Sequence, residues 1–363
     1  MERRKFLGGA AVLGAGAAGG LAAPAIAQGG KEMVIVSSWP RDAPGVGTSA
    51  QRLAQRITEV SEGAIRTTYY AAGEKVGAFD AFDEVASGNS HAYNSAEYYW
   101  KGKHPAFAFF TTVPFGMTYN ERSAWLRFGD GQALWDELSA EFGVKAFPAG
   151  SNGCQMGGWF NREIESPDDL KGLKMRTVGI GGDVLTRLGV SVISLPGGQI
   201  YENLVSGAID ATEWVGPWND YFLKFYEAAK YYYHPGFHEP GGNVSLGMNK
   251  SWWESLTDHE RALIEACCNE EHGLQMDETN YNNGIYLQKL IEEHGVELRA
   301  FNDEVFEAFG EATDAVIEEI RAHSPMAVKV IDSWDNARRQ IGSYLAISDI
   351  AYSQLRNRAL DLG

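Results

Sequence analysis

LKMRTVGIGGDVLTRLGVSVISLPGGQIYENLVSGAIDATEW, residues 173–214, decides the fold class. Leu173 to Val178 has strand composition, and Gly182 to Leu188 carries helical spacing. Val190 to Leu195 is β-rich and stops at Pro196. Gln199 to Ser206 reads as a second helix and Ala208 to Trp214 as a further strand. Alternating strands and helices with short connections build a mostly parallel sheet covered on both faces.

The same alternation occurs upstream. Met33-Val34-Ile35-Val36 is a buried-strand run ended by the turn Ser37-Ser38-Trp39-Pro40. Thr48 to Ser61 places Ala50, Leu53, Ala54, Ile57 and Val60 on one helical face, with Thr48 or Ser49 as the expected N-cap. Ile65 to Ala71 is β-rich, Gly77 to Gly88 is helical, and His91 to Ala96 and Phe107 to Val113 read as strands. A second unit begins near Val144. Tyr221 to Tyr233 reads as an aromatic-rich helix, and Gly241 to Met248 as a strand returning to the first unit. Two α/β lobes joined by more than one crossing segment leave a cleft, and ligands favour such interfaces.

The tail differs. From Pro325 to Leu362, Ile331, Trp334, Ile341, Leu345, Tyr352 and Leu355 keep a helical pattern. One helix of roughly 35 residues would be ~50 Å long. It either wraps across both lobes or forms an arm against a second subunit.

At the other end, Arg3-Arg4-Lys5-Phe6-Leu7 precedes a Gly- and Ala-rich apolar stretch and Ala25-Ile26-Ala27. This is the pattern of an export signal cleaved after Ala27, and the paired arginines also resemble the twin-arginine variant. A retained anchor is the alternative. Removing residues 1–27 takes away three basic residues and one acidic one, so net charge moves from −17 to −19. That balance argues against nucleic acid or an anionic membrane surface as partner. An anionic ligand must then be held by local positive charge. Cys154, Cys267 and Cys268 form no even framework and no C-x-x-C, so buried free thiols are expected.

Arg176 stands at the end of a predicted strand, where open α/β sheets place ligands. Its planar fork can grip a carboxylate through two parallel hydrogen bonds; the alternative is a structural ion pair. Glu213 and Glu239, if both face the cleft, add negative charge beside a bound anion. That requires a proton or a cation, and oxygen ligands suit a hard ion. Alternatively Glu239, beside Pro240-Gly241-Gly242, is a solvated turn residue. Glu213, Glu239, a ligand carboxylate and Arg176 sum to −2, so calcium would balance the set and sodium would leave −1. His234 and His238 have i,i+4 spacing, but Pro235-Gly236 breaks any helix there, and they read as structural. No His-Glu-x-x-His, Gly-x-Ser-x-Gly or P-loop pattern occurs. Gly179-Ile180-Gly181-Gly182 lacks dinucleotide spacing and reads as a tight turn or a backbone approach to ligand.

The ordered string Asp169-Leu170-Lys171-Gly172-Leu173-Lys174-Met175-Arg176, Leu188-Gly189, Leu195-Pro196, Tyr201-Glu202-Asn203-Leu204, Gly207-Ala208-Ile209-Asp210-Ala211 and Glu213-Trp214 resembles the solute-binding subunits of tripartite ATP-independent periplasmic (TRAP) transporters, over nearly all of the chain. Gly153-Cys154-Gln155, Glu213-Trp214 and Pro235 to Glu239 resemble the branch that binds 2-oxo acids such as pyruvate with a metal ion. The resemblance implies an α/β, two-lobed fold like the type II periplasmic binding proteins, with an interlobe cleft and a long C-terminal helix. Residues 28–150 and about 240–300 would form lobe I and about 151–239 lobe II, with a C-terminal helix over 325–363. It implies a Na+ or Ca2+ ion held by the Gln155 amide oxygen, the Glu213 and Glu239 carboxylates and the Trp214 main-chain carbonyl. Ligand contacts would come from Arg176, Gln155, Trp214, Tyr99 and Asn94. The implied partners are a small 2-oxo or 2-hydroxy carboxylate, TRAP permease subunits and a second copy of the chain in a periplasmic homodimer. The competing reading is a secreted metal-dependent enzyme, lyase-like, acting on a 2-oxo acid.

Overall fold

A computed structural model describes residues 30–362; the reading of residues 1–27 as an export signal lies outside these. Eleven strands among the described residues form two sheets. They are β1 (Lys31–Ser37), β2 (Ile65–Tyr70), β3 (Ala92–Ser95), β4 (Val144–Gly153), β5 (Gly158–Phe160), β6 (Lys174–Arg176), β7 (Ser191–Ile193), β8 (Ala211–Thr212), β9 (Tyr231–His234), β10 (Gly242–Asn249) and β11 (Glu297–Ala300). The first sheet has the order β2-β1-β3-β10-β4 and the second β11-β9-β5-β8-β6-β7. The helices, in chain order, are α1 (Val46–Val60), α2 (Ala81–Ala86), α3 (Tyr119–Phe128), α4 (Gly131–Ala140), α5 (Gly179–Arg187), α6 (Ile200–Val205), α7 (Pro217–Phe222), α8 (Lys250–Glu254), α9 (Asp258–His294), α10 (Asp303–Arg321), α11 (Pro325–Ile347) and α12 (Asp349–Leu360).

Both sheets are mixed rather than mostly parallel. β10 returns antiparallel to β3 and β4, and β5 is antiparallel to β8 and β9. The cause is the crossing topology: a strand that comes back from the other lobe enters its sheet from the opposite end.

Several local expectations change. Helix α1 starts earlier, at Val46, with Gly45 as N-cap and no side-chain cap from Thr48 or Ser49. Phe107 to Val113 is no strand: Pro105–Phe110 forms a 3-10 helix whose Phe107, Phe109 and Phe110 are buried. Proline at its first position suits a helical start. Phe110 then stacks between Trp125 and Trp135, at 5.8 and 5.2 Å between ring centroids. The Tyr221 to Tyr233 stretch splits into the end of α7, a 3-10 turn over Phe225–Glu227 and strand β9. Tyr232 in β9 stacks on Trp159 at 4.0 Å, so cross-strand aromatic packing outweighs the helical pattern.

The stretch about 240–300 does not stay with the first sheet. β11 pairs in parallel with β9 in the second. Between them runs α9, 37 residues long, opened by a Thr257/Glu260 capping box and closed at Gly295 with φ +63°. Its N-terminal half buries Ile264, Cys267 and Cys268 with Phe147 and Leu246 of the first sheet. Further on, Asn283 Oδ1 accepts from the Trp218 backbone N–H at the start of α7, 3.0 Å away. One helix therefore spans both lobes. The C-terminal segment is long but interrupted at Ser348, which separates α11 from α12. Met326, Ala327, Val330, Ile331 and Trp334 of α11 are buried in the protomer's own core, whereas no residue of α12 is buried. All three cysteines are free, Cys154 exposed rather than buried. Among the described residues, no helix is long and apolar enough to cross a membrane.

Candidate functional site

The chain leaves the first sheet at Gly153, enters the second at Gly158, and returns between His234 and Gly242. These two crossings are bonded to each other. The Gln155 N–H donates to the Glu239 carbonyl (3.0 Å), and the Gly236 N–H donates to the Gln155 carbonyl (2.9 Å). Gln155 and Glu239 thus lie at the hinge, held by main chain. Their side chains meet too: Gln155 Nε2 donates to Glu239 Oε2 at 2.8 Å.

The second lobe supplies the charges. Arg176 ends β6 and pairs in register with Thr212, so Glu213 follows directly at the end of β8. Arg176 is 1% exposed. Its Nε donates to the Leu195 carbonyl (3.0 Å), and Nη1 to both the Glu213 carbonyl (3.0 Å) and Glu213 Oε1 (2.6 Å). Nη2 has no partner. The guanidinium also lies 5.2 Å from the Trp214 ring. Arg176 is consequently both an ion-pair member and a source of free donor capacity.

Glu213, His238 and Glu239 are all buried and each offers one ligand atom within 4.8 Å of the others. Glu239 is 3% exposed, which excludes the solvated-turn alternative. Burial opposes ionisation of Glu213, but the Arg176 charge and then His238 hold its carboxyl below the usual range. Burial, and next the Glu213 charge, push Glu239 well above that range. His238, read as structural, lies in the same cluster: its Nε2 is 3.5 Å from Glu213 Oε2 and has no hydrogen-bond partner. No helix is needed, because a tight turn brings the ring beside Glu213.

The first lobe closes the site at the carboxyl ends of β1 and β3. Asn94, opposite Ser37 in register, accepts from Trp39 Nε1 (2.7 Å), leaving Asn94 Nδ2 buried without a partner. Trp39 meets Trp214 of the other lobe edge-on at 6.4 Å and Tyr99 at 6.1 Å. Burial pushes the Tyr99 hydroxyl up to about 12, so it remains protonated and able to donate. Lys101 Nζ crosses to the second lobe, bonding the Gly179 carbonyl (3.0 Å) and Asp183 (2.5 Å). Glycine is required at two points of this seam. Gly179 has φ +66° against the Tyr98 ring, and a Cβ on Gly181 would stand 2.7 Å from His238 Cβ.

All the sequence-predicted residues, Arg176, Gln155, Tyr99, Asn94, Trp214, Glu213 and Glu239, fall within this connected set. Sequence reasoning missed Trp39, His238 and Lys101 as parts of it. For Trp39 a signal existed, since its turn ends the first strand, where α/β sheets place ligands. Lys101 carried none.

The unpaired atoms test what the site can hold. Gln155 Oε1 and Glu213 Oε2 are buried acceptors without donors, while Arg176 Nη2 and Asn94 Nδ2 are buried donors without acceptors. Orphaned oxygens among carboxylates suit a hard cation, and orphaned N–H groups suit an anion. The residues fit both together.

A two-lobed clamp with a buried guanidinium, paired acids and aromatic walls at its hinge is the architecture of a solute-binding protein. The chain belongs to the DctP family of bacterial extracellular solute-binding proteins, family 7, whose profile matches residues 35–324. Membership puts it among periplasmic binding proteins rather than enzymes, which removes the lyase reading. It is 38% identical over 318 residues to a monocarboxylate 2-oxoacid-binding periplasmic protein of Nostoc sp., covering 88% of this chain and 87% of that one. A TRAP solute-binding protein of Bordetella bronchiseptica superimposes with a TM-score of 0.90 at 30% identity, covering 92% of this chain and 99% of that one. It was crystallised as a dimer with copurified calcium and picolinate. One from Pseudoalteromonas atlantica, with bound sodium and pyruvate, gives 0.87 at 33% identity over 90% and 99% of the respective chains.

Proposed function

We propose that this protein captures a small 2-oxo monocarboxylate, pyruvate or a close analogue, together with Na+ or Ca2+, and delivers it to the permease subunits of a TRAP transporter. The observation that carries the reading is the pairing of orphaned donors with orphaned acceptors in one buried site. A 2-oxo acid answers both. Its carboxylate takes the N–H groups of Arg176 and Asn94, and its carboxylate and keto oxygens together can chelate a cation. Gln155, Glu213, Glu239 and the Trp214 carbonyl would hold that ion, which supplies positive charge between the protein's acids and the ligand.

The residues do the rest. Arg176 orients the carboxylate, Tyr99 offers a hydroxyl, and Trp39 and Trp214 exclude water and limit side-chain size. Ligand and ion touch both lobes only when these are closed, so binding shifts the population towards closure. Lys101 bonding to Gly179 and Asp183 adds a direct latch across the seam.

The chain enters the periplasm through the leader at residues 1–27, cleaved after Ala27, and works there as a homodimer. Exposed Tyr344, Ile347, Ile350, Tyr352, Leu355 and Leu360 along α11 and α12 support an arm that packs on the second copy. The test is calorimetric titration of chelator-treated protein with pyruvate in sodium, in calcium and in neither. Stoichiometric binding that needs one of the ions, with pyruvate unchanged by NMR, is expected. No monocarboxylate binding with either ion would refute the proposal.

A further inference from the structure

The charge count at the site changes when a second buried arginine is included. Arg122, on α3, is 1% exposed. Its Nη1 donates to the Thr111 carbonyl at 2.9 Å, while Nε and Nη2 have no partner. The Asn243 N–H donates to the same Thr111 carbonyl, at 3.1 Å. One residue back, a Cβ on Gly242 would lie 3.0 Å from Glu239 Oε2. Arg122 and the Glu239 carboxylate are therefore separated by little more than one residue of β10, with the acceptors Asn152 Oδ1 and Asn243 Oδ1 also without donors. The charges of Arg122 and Glu239 act on each other through this low-dielectric gap. Burial lowers Arg122 only to about 9, so it is charged at neutral pH. Nearby His272 is pulled down to about 3, by burial and then by Arg122, and adds no charge.

We propose that Arg122 is a specificity-determining residue for the cation: a fixed counter-charge behind Glu239 that makes sodium, rather than calcium, the ion that completes the site. This rests on the binding reading given above. With a cation bound, so that Glu239 is ionised beside it, Arg176 and Arg122 against Glu213, Glu239 and one ligand carboxylate leave −1, which a monovalent ion neutralises. Without Arg122 the same set is −2 and matches a divalent ion. A unit charge acting across roughly 10 Å at an effective dielectric of about 20 changes monovalent affinity about tenfold and divalent affinity about a hundredfold.

The experiment uses the full-length mature protein, freed of ions by a chelator, with NaCl and CaCl2 as probes and thermal shift and calorimetry as readouts. Arg122→Met should raise the ratio of calcium to sodium affinity about tenfold, and Arg122→Lys should keep the wild-type ratio. A purely structural Arg122 would lower the melting temperature but leave that ratio unchanged, which overturns the proposal. If Arg122→Met does not fold, wild type decides: calcium retained through dialysis against a hundredfold excess of sodium overturns it, and loss of calcium supports it. Ion shifts in the expected order without any pyruvate binding would sink the ligand reading and support the role of Arg122.

Discussion

Replacing Arg176 separates its two jobs. In the folded protein the side chain donates to Leu195 O, Glu213 O and Glu213 Oε1, and keeps Nη2 for a ligand. Lysine retains the charge but concentrates it at one ammonium, which cannot span Leu195, Glu213 and a carboxylate together. Loss of one charge-assisted hydrogen bond to the ligand costs about 1.5–3 kcal/mol, or roughly 10- to 150-fold in affinity. Arg176→Ala also strands Glu213 in a buried setting beside Glu239. Breaking a buried pair by removing one partner costs about 3–5 kcal/mol, so Arg176→Ala should melt markedly lower and bind no carboxylate. The assay is pyruvate titration followed by tryptophan fluorescence, with Trp214 5.2 Å from the guanidinium as reporter, and calorimetry for affinity. Wild-type affinity in both variants would refute the anchor role. Equal loss in both would show that the charge lysine retains recovers no binding and that the fork alone holds the carboxylate.

Glu239→Gln should keep the hinge hydrogen bonds of its main chain yet abolish the dependence of pyruvate binding on added cation; ion dependence at the wild-type level would contradict coordination. Lys101→Met removes a latch whose partners are 33% and 46% exposed, so only ~0.5–1 kcal/mol is at stake; stopped-flow should show ligand leaving about two- to fivefold faster, and an unchanged rate would mean the contact does not hold the closed state. Glu97 is buried with only neutral donors, Tyr93 and Ser245, and burial raises it to about 7. Its native form therefore binds a proton that the unfolded form releases near pH 4.5, and stability falls as pH rises from about 4.5 to 7, by ~3 kcal/mol in all. Glu97→Gln should flatten that part of the urea-denaturation pH profile, and an unchanged profile would assign the loss elsewhere. Ending the chain at Gln340 spares the buried residues of α11 through Trp334 and removes the exposed apolar stripe; sedimentation should then report monomers, and a persisting dimer would contradict the arm.

Legibility from sequence followed the range of the interactions. Strands such as Ile65–Tyr70 and helices such as Gly179–Arg187 carry their own periodicity and terminators, and they form close to where the pattern puts them. Arg176, Glu213 and Trp214 could be singled out because a motif string fixes their order, and Gln155 and Glu239 because short segments resemble one branch of the family; the fold brings these side chains together. Tyr231–His234 was misread because its aromatic run suits either period, and only Trp159 across the sheet decides. The break at Ser348 has no glycine or proline to announce it. Arg122 was invisible for another reason. It sits on a helix with ordinary amphipathic spacing, and its proximity to Glu239 arises only when β10 folds back into the first sheet.

The decisive measurement is a crystal structure of the wild-type protein grown with pyruvate and either ion. The expected density places the ligand carboxylate on Arg176 Nη2 and Asn94 Nδ2, with the cation between the ligand, Gln155 Oε1 and Glu213 Oε2. Pyruvate and ion found anywhere but between those side chains would contradict it.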